Sequence, residues 1–287
     1  MADTLLITGG SGYLGSHLAR QAVSHWRVVA TRFSHSVALP GCEVVAIDLE
    51  DARAVAALVS DLRPRAVIHT ASNMSSPEAM QSVIVQGTRN VAAAAAASGA
   101  RLIHLSSDMV FDGEHAPYSP GDPLQPITPY GCAKAEAERI VAEELATPAI
   151  VRTSLIYGFY PPDPRTLWVL DSLRRGVPLT LFTDEVRCPV WVEQLATALL
   201  ELARGDQPGI WHLAGPQPIS RYDFGERLAR TYGLDPSGIT PGLSHASGLV
   251  RPRDLTLDVR ESQARLSSPL WGVDMVLAHR PSATTGE

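Results

Sequence analysis

Through its first half the chain alternates short, almost wholly apolar runs with longer stretches of helical periodicity. Leu5 to Thr8 predicts a strand and Leu14 to Val23 a helix, followed by strands over Arg27 to Thr31 and Cys42 to Ile47. Asp51 to Leu62 predicts a helix, Ala66 to Ala71 a buried strand, and Pro77 to Ser98 a long helix whose alanine tract, Ala92 to Ala97, reflects helix propensity. A strand over Arg101 to Ser106, a helix over Thr128 to Ala146 and a strand over Ala149 to Thr153 complete the series. Apolar strands alternating with helices indicate a parallel sheet covered on both faces. After Thr153 the texture changes. The run Tyr157 to Pro164 is too rich in proline to continue a sheet, and short helices follow over Arg165 to Arg175, Val192 to Arg204 and Ser220 to Tyr232, with one strand over Ile210 to Ala214. The expected organisation is a main domain over residues 1–156 and a smaller, mainly ligand-covering lobe over 157–287. A segment near 190–215 is expected to return to the main sheet, and Arg280 to Glu287 to form a frayed tail.

The turn between the first strand and the first helix is Gly9-Gly10-Ser11-Gly12-Tyr13-Leu14-Gly15. Glycines at these spacings permit a tight turn, close approach of a ligand to the backbone, and tight packing of helix on strand. The helix N-terminus behind them offers unpaired N–H groups to a pyrophosphate. The fold class is therefore α/β, a Rossmann-type doubly wound sheet binding a dinucleotide through Gly9, Gly12, Tyr13, Leu14 and Gly15. In NAD sites an acidic residue about 20 residues further on takes the ribose hydroxyls. Here no Asp or Glu occurs from Ser16 to Cys42, and the second strand ends in Arg32-Phe33-Ser34. A guanidinium flanked by serine hydroxyls suits a 2′-phosphate, so NADP(H) is favoured over NAD(H), with Arg32 and Ser34 as its selectors.

Composition excludes several alternatives. The 287 residues carry a net charge of −6 without a basic stripe, which argues against nucleic acid and acidic membrane surfaces as partners. No apolar run is long enough to cross a bilayer. Three scattered cysteines suggest neither a disulfide framework nor a metal site, and a cytoplasmic protein without a required metal is expected.

Candidate chemistry lies mid-chain. Tyr130 and Lys134 are four residues apart on one helix and so share a face. An ammonium beside a phenol is expected to lower the phenol pKa toward working pH, fitting Tyr130 to exchange a proton with a carbonyl oxygen while hydride moves. Ser107, at the carboxyl end of a parallel strand, faces the crevice where such sheets bind ligands and is placed to hydrogen-bond the same oxygen.

These features resemble the extended short-chain dehydrogenase/reductases, and within them the dTDP-4-dehydrorhamnose reductase family. Leu105 to Gly113, Pro129 to Glu138, Val151 to Gly158 and Arg251 to Asp258 parallel that family's strand-end, catalytic-helix, following-strand and substrate-lobe segments. The resemblance implies Ser107, Tyr130 and Lys134 as the catalytic triad, with Lys134 also holding the nicotinamide ribose. It implies Asp48 and Leu49 near the adenine (Asp48 is equally suited to capping a helix), Thr70, Ala71 and Ser72 along the cofactor, and a homodimer. Substrate contacts are expected from Asp108, Arg187 and Arg251, the two arginines clamping a nucleotide-sugar diphosphate or else pairing with carboxylates. His69 and His104 are expected to be core residues. The Asp-Glu pair of the related dehydratases is absent, since Met109 follows Asp108. Reduction of a 4-keto-6-deoxy nucleotide-sugar, as in dTDP-rhamnose biosynthesis, is the implied activity. The alternatives are an epimerase, another carbonyl reductase, or an NADP-binding regulatory subunit resembling that of methionine adenosyltransferase. Ile84 stands where many extended members carry an asparagine that supports the catalytic helix or proton relay, and this departure leaves the regulatory alternative open.

Overall fold

The computed structural model describes residues 2–279, so the expected tail over Arg280 to Glu287 lies outside the described residues. Strands β1 (Thr4–Thr8), β2 (Arg27–Arg32) and β3 (Glu43–Ala46) are joined by helix α1 (Tyr13–Ala22) and a loop. Helix α2 (Ala52–Leu62), β4 (Ala66–His69), α3 (Pro77–Ala79), α4 (Gly87–Ser98) and β5 (Arg101–Leu105) follow, then α5 (Pro129–Glu144) and β6 (Ala149–Arg152). Further on come β7 (Ile156–Tyr157), α6 (Pro164–Arg174), β8 (Leu179–Phe182), β9 (Val186–Arg187), β10 (Val190–Trp191) and α7 (Val192–Arg204). The chain continues through β11 (Gly209–His212), β12 (Ile219–Ser220), α8 (Arg221–Thr231), β13 (Ile239–Gly242), α9 (Arg260–Arg265) and α10 (Val273–Ala278).

One parallel sheet of seven strands runs in the order β11-β6-β5-β4-β1-β2-β3. Strand residues alternate between two apolar layers. Leu5, Ile7, Val28, Ile68 and Ile103 pack toward α1 and α7, while Leu6, Val29, Val67 and Leu102 pack toward α2, α4 and α5. Both layers exclude water, which explains the unbroken apolar letters of these strands. Strand order reverses between β1 and β4, opening the crevice at the carboxyl ends where ligands bind in such sheets. Thr8, His69 and His104 stand in register across that edge.

The chain departs from its sequence pattern in two places. The expected helix over Pro77 to Ser98 is interrupted by a π-helical stretch, Met80–Gln86, which carries Ile84. Beyond residue 157, three two-stranded pairs (β10 with β7, β12 with β9, β13 with β8) accompany the helices where one strand was expected. Their strands of two to four residues are too short to show a period. The segment that includes α7 and β11 lies against the main sheet, with β11 paired to β6. No helix among the described residues is long and apolar enough to cross a membrane.

The glycine-rich turn is as tight as its letters suggest. Gly9 has φ +76°, and a Cβ on Gly15 would stand 2.2 Å from the Gly9 carbonyl oxygen. Alanine in a helix interior ordinarily stabilises by up to about 1 kcal/mol over glycine. Gly15→Ala is expected to do the reverse, lowering unfolding free energy by about 1–3 kcal/mol through overpacking. Urea denaturation checks this, and a stabilised variant would contradict the close approach.

Candidate active site

The glycine-rich turn opens on a groove of about 580 Å³ at the sheet's switch point. Gly9, Gly12, Arg32, Ser34, Asp48, Leu49, Thr70, Ala71 and Ser72 all line it. Tyr13, Leu14 and Gly15 do not present side chains there. The Tyr13 hydroxyl donates to the Pro161 carbonyl at 2.9 Å, Leu14 is buried in the core, and Gly15 packs on Gly9. The main-chain N–H groups of the helix N-terminus remain. Helices α2, α5, α6 and α8 are capped by Asp51, Thr128, Asp163 and Ser220; α1, like α4, α7, α9 and α10, has no side-chain cap, and its N-cap Gly12 lies on the groove. An uncapped helix N-terminus on a groove suits a pyrophosphate. Asp48 accepts a hydrogen bond from the Glu50 N–H at 2.9 Å, and Asp51 rather than Asp48 caps α2. Arg32 donates to the Phe33 carbonyl at 3.2 Å and forms no ion pair among the described residues. Its charge is thus available at the mouth of the groove.

Ser72 lies where this groove meets the chemistry, because its hydroxyl and that of Ser107 both act to lower the Tyr130 phenol. The approach of helix to strand end is enforced locally. Thr128 caps α5 by accepting from the Gly131 N–H at 3.1 Å, and Pro129 occupies the first turn. A Cβ on Gly131 would stand 2.1 Å from the Met109 carbonyl oxygen, so only glycine lets α5 press against the turn after Ser107. Ser107 donates to Asp108 at 3.1 Å and accepts from the Met109 N–H at 3.2 Å. Ser154 donates to the other Asp108 oxygen at 2.6 Å. Burial pushes the Asp108 carboxyl up, opposed by the charge of Arg187 and by these hydroxyls.

The electrostatics reverse one expectation. Burial pushes Tyr130 up to about 12, and the charge of Asp108 adds to it, while the Ser107 and Ser72 hydrogen bonds and Arg165 pull the other way. Lys134 is only 3% exposed. Its ammonium donates to the Leu105 carbonyl at 2.9 Å and stands 5.9 Å from the Tyr130 ring centroid. Burial pulls Lys134 itself down to about 8, with Glu138 opposing. Desolvation outweighs the pairwise attraction that the helical spacing suggested. The site therefore holds a neutral phenol, a proton donor rather than a ready-made base. Sequence inspection overlooked a further signal: Lys134 is the only lysine among 24 basic residues, the others being arginine.

On the lobe side the arginines divide. Arg187 is 3% exposed and donates to the carbonyls of Val186, Pro252 and Arg253. It also pairs with the buried Glu185 at 3.1 Å, so its guanidinium is engaged inside the lobe. Arg251 is more open, 3.3 Å from Glu185 and over the Phe182 ring. Two arginines not singled out from sequence join them. Arg221 is pulled down to about 10 by burial, with Glu185 opposing and the charges of Arg165, Arg187 and Arg251 adding to the fall. Arg165 also acts on Tyr130. Arg187, Arg221 and Arg251 thus act on the one carboxylate of Glu185, with Arg165 beside Arg221, and Arg165 extends the positive field to Tyr130. Ile84 is fully buried and packs with Val85 and with Ala133, Ala137 and Ile140 of α5, so that helix has apolar support here.

Fold and site together define an extended short-chain dehydrogenase/reductase with a Ser–Tyr–Lys set at the carboxyl edge of its sheet. The RmlD substrate binding domain model matches residues 3–277, and the chain belongs to that family. It is 30% identical to the dTDP-4-keto-6-deoxy-D-glucose reductase of Streptomyces niveus over 266 residues, covering 88% of each chain. It is 29% identical to methionine adenosyltransferase 2 subunit beta of Bos taurus over 281 residues, covering 88% of this chain and 80% of that one. The crystal structure of the Bacillus anthracis dTDP-4-dehydrorhamnose reductase in complex with NADP superposes with a TM-score of 0.85 at 21% identity, covering 97% of this chain and 98% of that one.

The buried ammonium has a consequence for stability. With Lys134 near 8 in the folded state, below the ordinary lysine value of about 10.4, the unfolded chain binds more protons between those limits. Stability contributed by this group therefore rises with pH across that window, and the charge is a cost at neutral pH. Lys134→Met is expected to raise stability at pH 7 by on the order of 1–3 kcal/mol, a gain that fades toward pH 10. Thermal melts of both proteins across that range check it, and a uniformly less stable variant would contradict the cost.

Proposed function

We propose that the protein catalyses NADPH-dependent reduction of a 4-keto-6-deoxy nucleotide-sugar, in the manner of dTDP-4-dehydrorhamnose reductases. The observation that carries this reading is the half-buried, protonated Tyr130, bracketed by Ser107 and Ser72 and backed by the chain's single lysine. Ser107 and Tyr130 hold the keto oxygen, and the Tyr130 hydroxyl donates its proton as charge develops there. The phenolate left behind is stabilised by the Lys134 ammonium. NADPH, when bound, supplies the hydride. Gly12 and the α1 N-terminus take its pyrophosphate, Arg32 and Ser34 its 2′-phosphate, and Asp48 with Leu49 its adenine side. Arg165, Arg221 and Arg251 supply the positive field for the substrate diphosphate. Arg187 and Asp108 support this surface from beneath.

A second reading, an NADP-binding regulatory subunit, is supported by the similarity to methionine adenosyltransferase 2 subunit beta. NADPH consumption by the purified protein against a panel of 4-keto-6-deoxy nucleotide-sugars separates the two. Turnover is expected, and Tyr130→Phe is expected to reduce kcat by about 10²–10⁴-fold with NADPH affinity nearly intact. Tight NADPH binding with no turnover on any panel member would favour the regulatory reading. Arg32→Ala is expected to weaken NADPH much more than NADH in binding titrations, and equal losses would remove Arg32 from 2′-phosphate recognition.

A further inference from the structure

Beneath the Ser–Tyr–Lys set lies a buried carboxylate that the chemistry above does not use. Glu138 falls one turn after Lys134 on the same face of α5 and is 3% exposed. Its Oε1 accepts from Ser106 Oγ at 2.5 Å and from Arg152 Nε at 3.1 Å, and its Oε2 accepts from Arg152 Nη2 at 2.8 Å. Arg152, on β6, is equally buried and donates through Nη1 to the Pro120 carbonyl at 3.0 Å. Ser106 immediately precedes Ser107 in the chain. One carboxylate thus ties together the catalytic helix, the strand end that presents Ser107, and the neighbouring strand. A buried ion pair stabilises a fold little better than an apolar pair of the same shape, so its stability contribution gives no reason for it here.

The other groups facing Lys134 carry no negative charge. From β4 and β5 come His69 and His104, stacked at 5.4 Å and both held neutral by burial, His69 down to about 3. His69 has its ring nitrogens against Thr8 at 2.6 Å and Thr88 at 3.0 Å. Tyr130, on the same helix, is neutral, and the charge of Asp108 acts on Tyr130 and Cys188. Glu138 is what opposes the burial of Lys134.

We propose that Glu138 is a positioning residue, whose carboxylate fixes the Ser107 strand end against the Tyr130–Lys134 helix and supplies the counter-charge of the Lys134 ammonium. What the positioned groups accomplish rests on the reductase reading, whereas the charge coupling does not. Because the chain has a single lysine, full-length protein grown with [ε-13C]lysine gives one side-chain signal whose shift follows Lys134 through its titration.

The wild-type midpoint is expected near 8. Glu138→Gln removes the charge while keeping the shape, and is expected to move that midpoint down by at least about one pH unit. A folded Glu138→Gln protein with an unmoved midpoint overturns the proposal. Should that variant fail to fold, Glu138→Asp, which draws the charge back by one methylene, is expected to move it less but in the same direction. No movement there overturns the proposal equally. Ser106→Ala leaves both charges in place, so the midpoint is expected to hold while kcat falls about ten- to a hundredfold at unchanged KM for NADPH. Full kcat in Ser106→Ala overturns the positioning role. If the wild-type protein turns over no keto-sugar, the reductase reading fails while the lysine titration still decides the coupling.

Discussion

The burial of one ammonium group governs the arrangement of the sheet's carboxyl edge. Lys134 has left water for a site walled by β4, β5 and its own helix, and its desolvation is offset by a main-chain carbonyl and one carboxylate. Neighbouring groups follow from that placement. His69 and His104 remain neutral beside it, and desolvation raises the Tyr130 phenol further above its ordinary value. The tight contact of Gly131 with the Met109 carbonyl keeps the helix close to the strand end, where the donors meet. A looser helix would admit water, and water would weaken each electrostatic interaction in the set.

The parts of the molecule legible in its sequence were those where backbone geometry selects the residue type. Gly9 and Gly15 sit where a Cβ would strike main-chain atoms, and the apolar strands sit where both faces of the sheet are covered. Tyr130 and Lys134 share a helical face by period alone. Properties set by distant neighbours were not legible. The rise of Tyr130 depends on burial by several elements, and a spacing rule contains no desolvation. Arg187 and Arg221 look alike as letters, yet Arg187 donates to three carbonyls inside the lobe while burial holds Arg221 down to about 10 among other guanidinium groups. The π-helical stretch over Met80–Gln86 escaped because its composition is that of an ordinary helix.

Ile84 and Lys134 bear in opposite directions on whether the chain performs chemistry. At Ile84 an apolar side chain occupies a position where the family resemblance leads one to expect an asparagine supporting α5. The structure shows that position filled and packed, so the helix keeps its support by a different physical means. What an isoleucine cannot provide is a hydrogen-bonding step for proton traffic. Ser72 and Ser107, whose hydroxyls both act on the Tyr130 phenol, are the polar groups that remain for that purpose.

Lys134 points to chemistry more strongly. This chain places arginine at every other basic position, including the buried Arg152 and Arg187, so arginine serves its structural needs for positive charge. A guanidinium is planar, is delocalised and does not deprotonate, whereas an ammonium is a compact point charge whose pKa responds to burial. The single lysine sits 5.9 Å from the ring centroid of Tyr130, where burial makes it a titratable cation. A site required only to hold a cofactor gains little from a cation poised near its own pKa. A site that must release a proton from a phenol and then stabilise the phenolate gains directly from it.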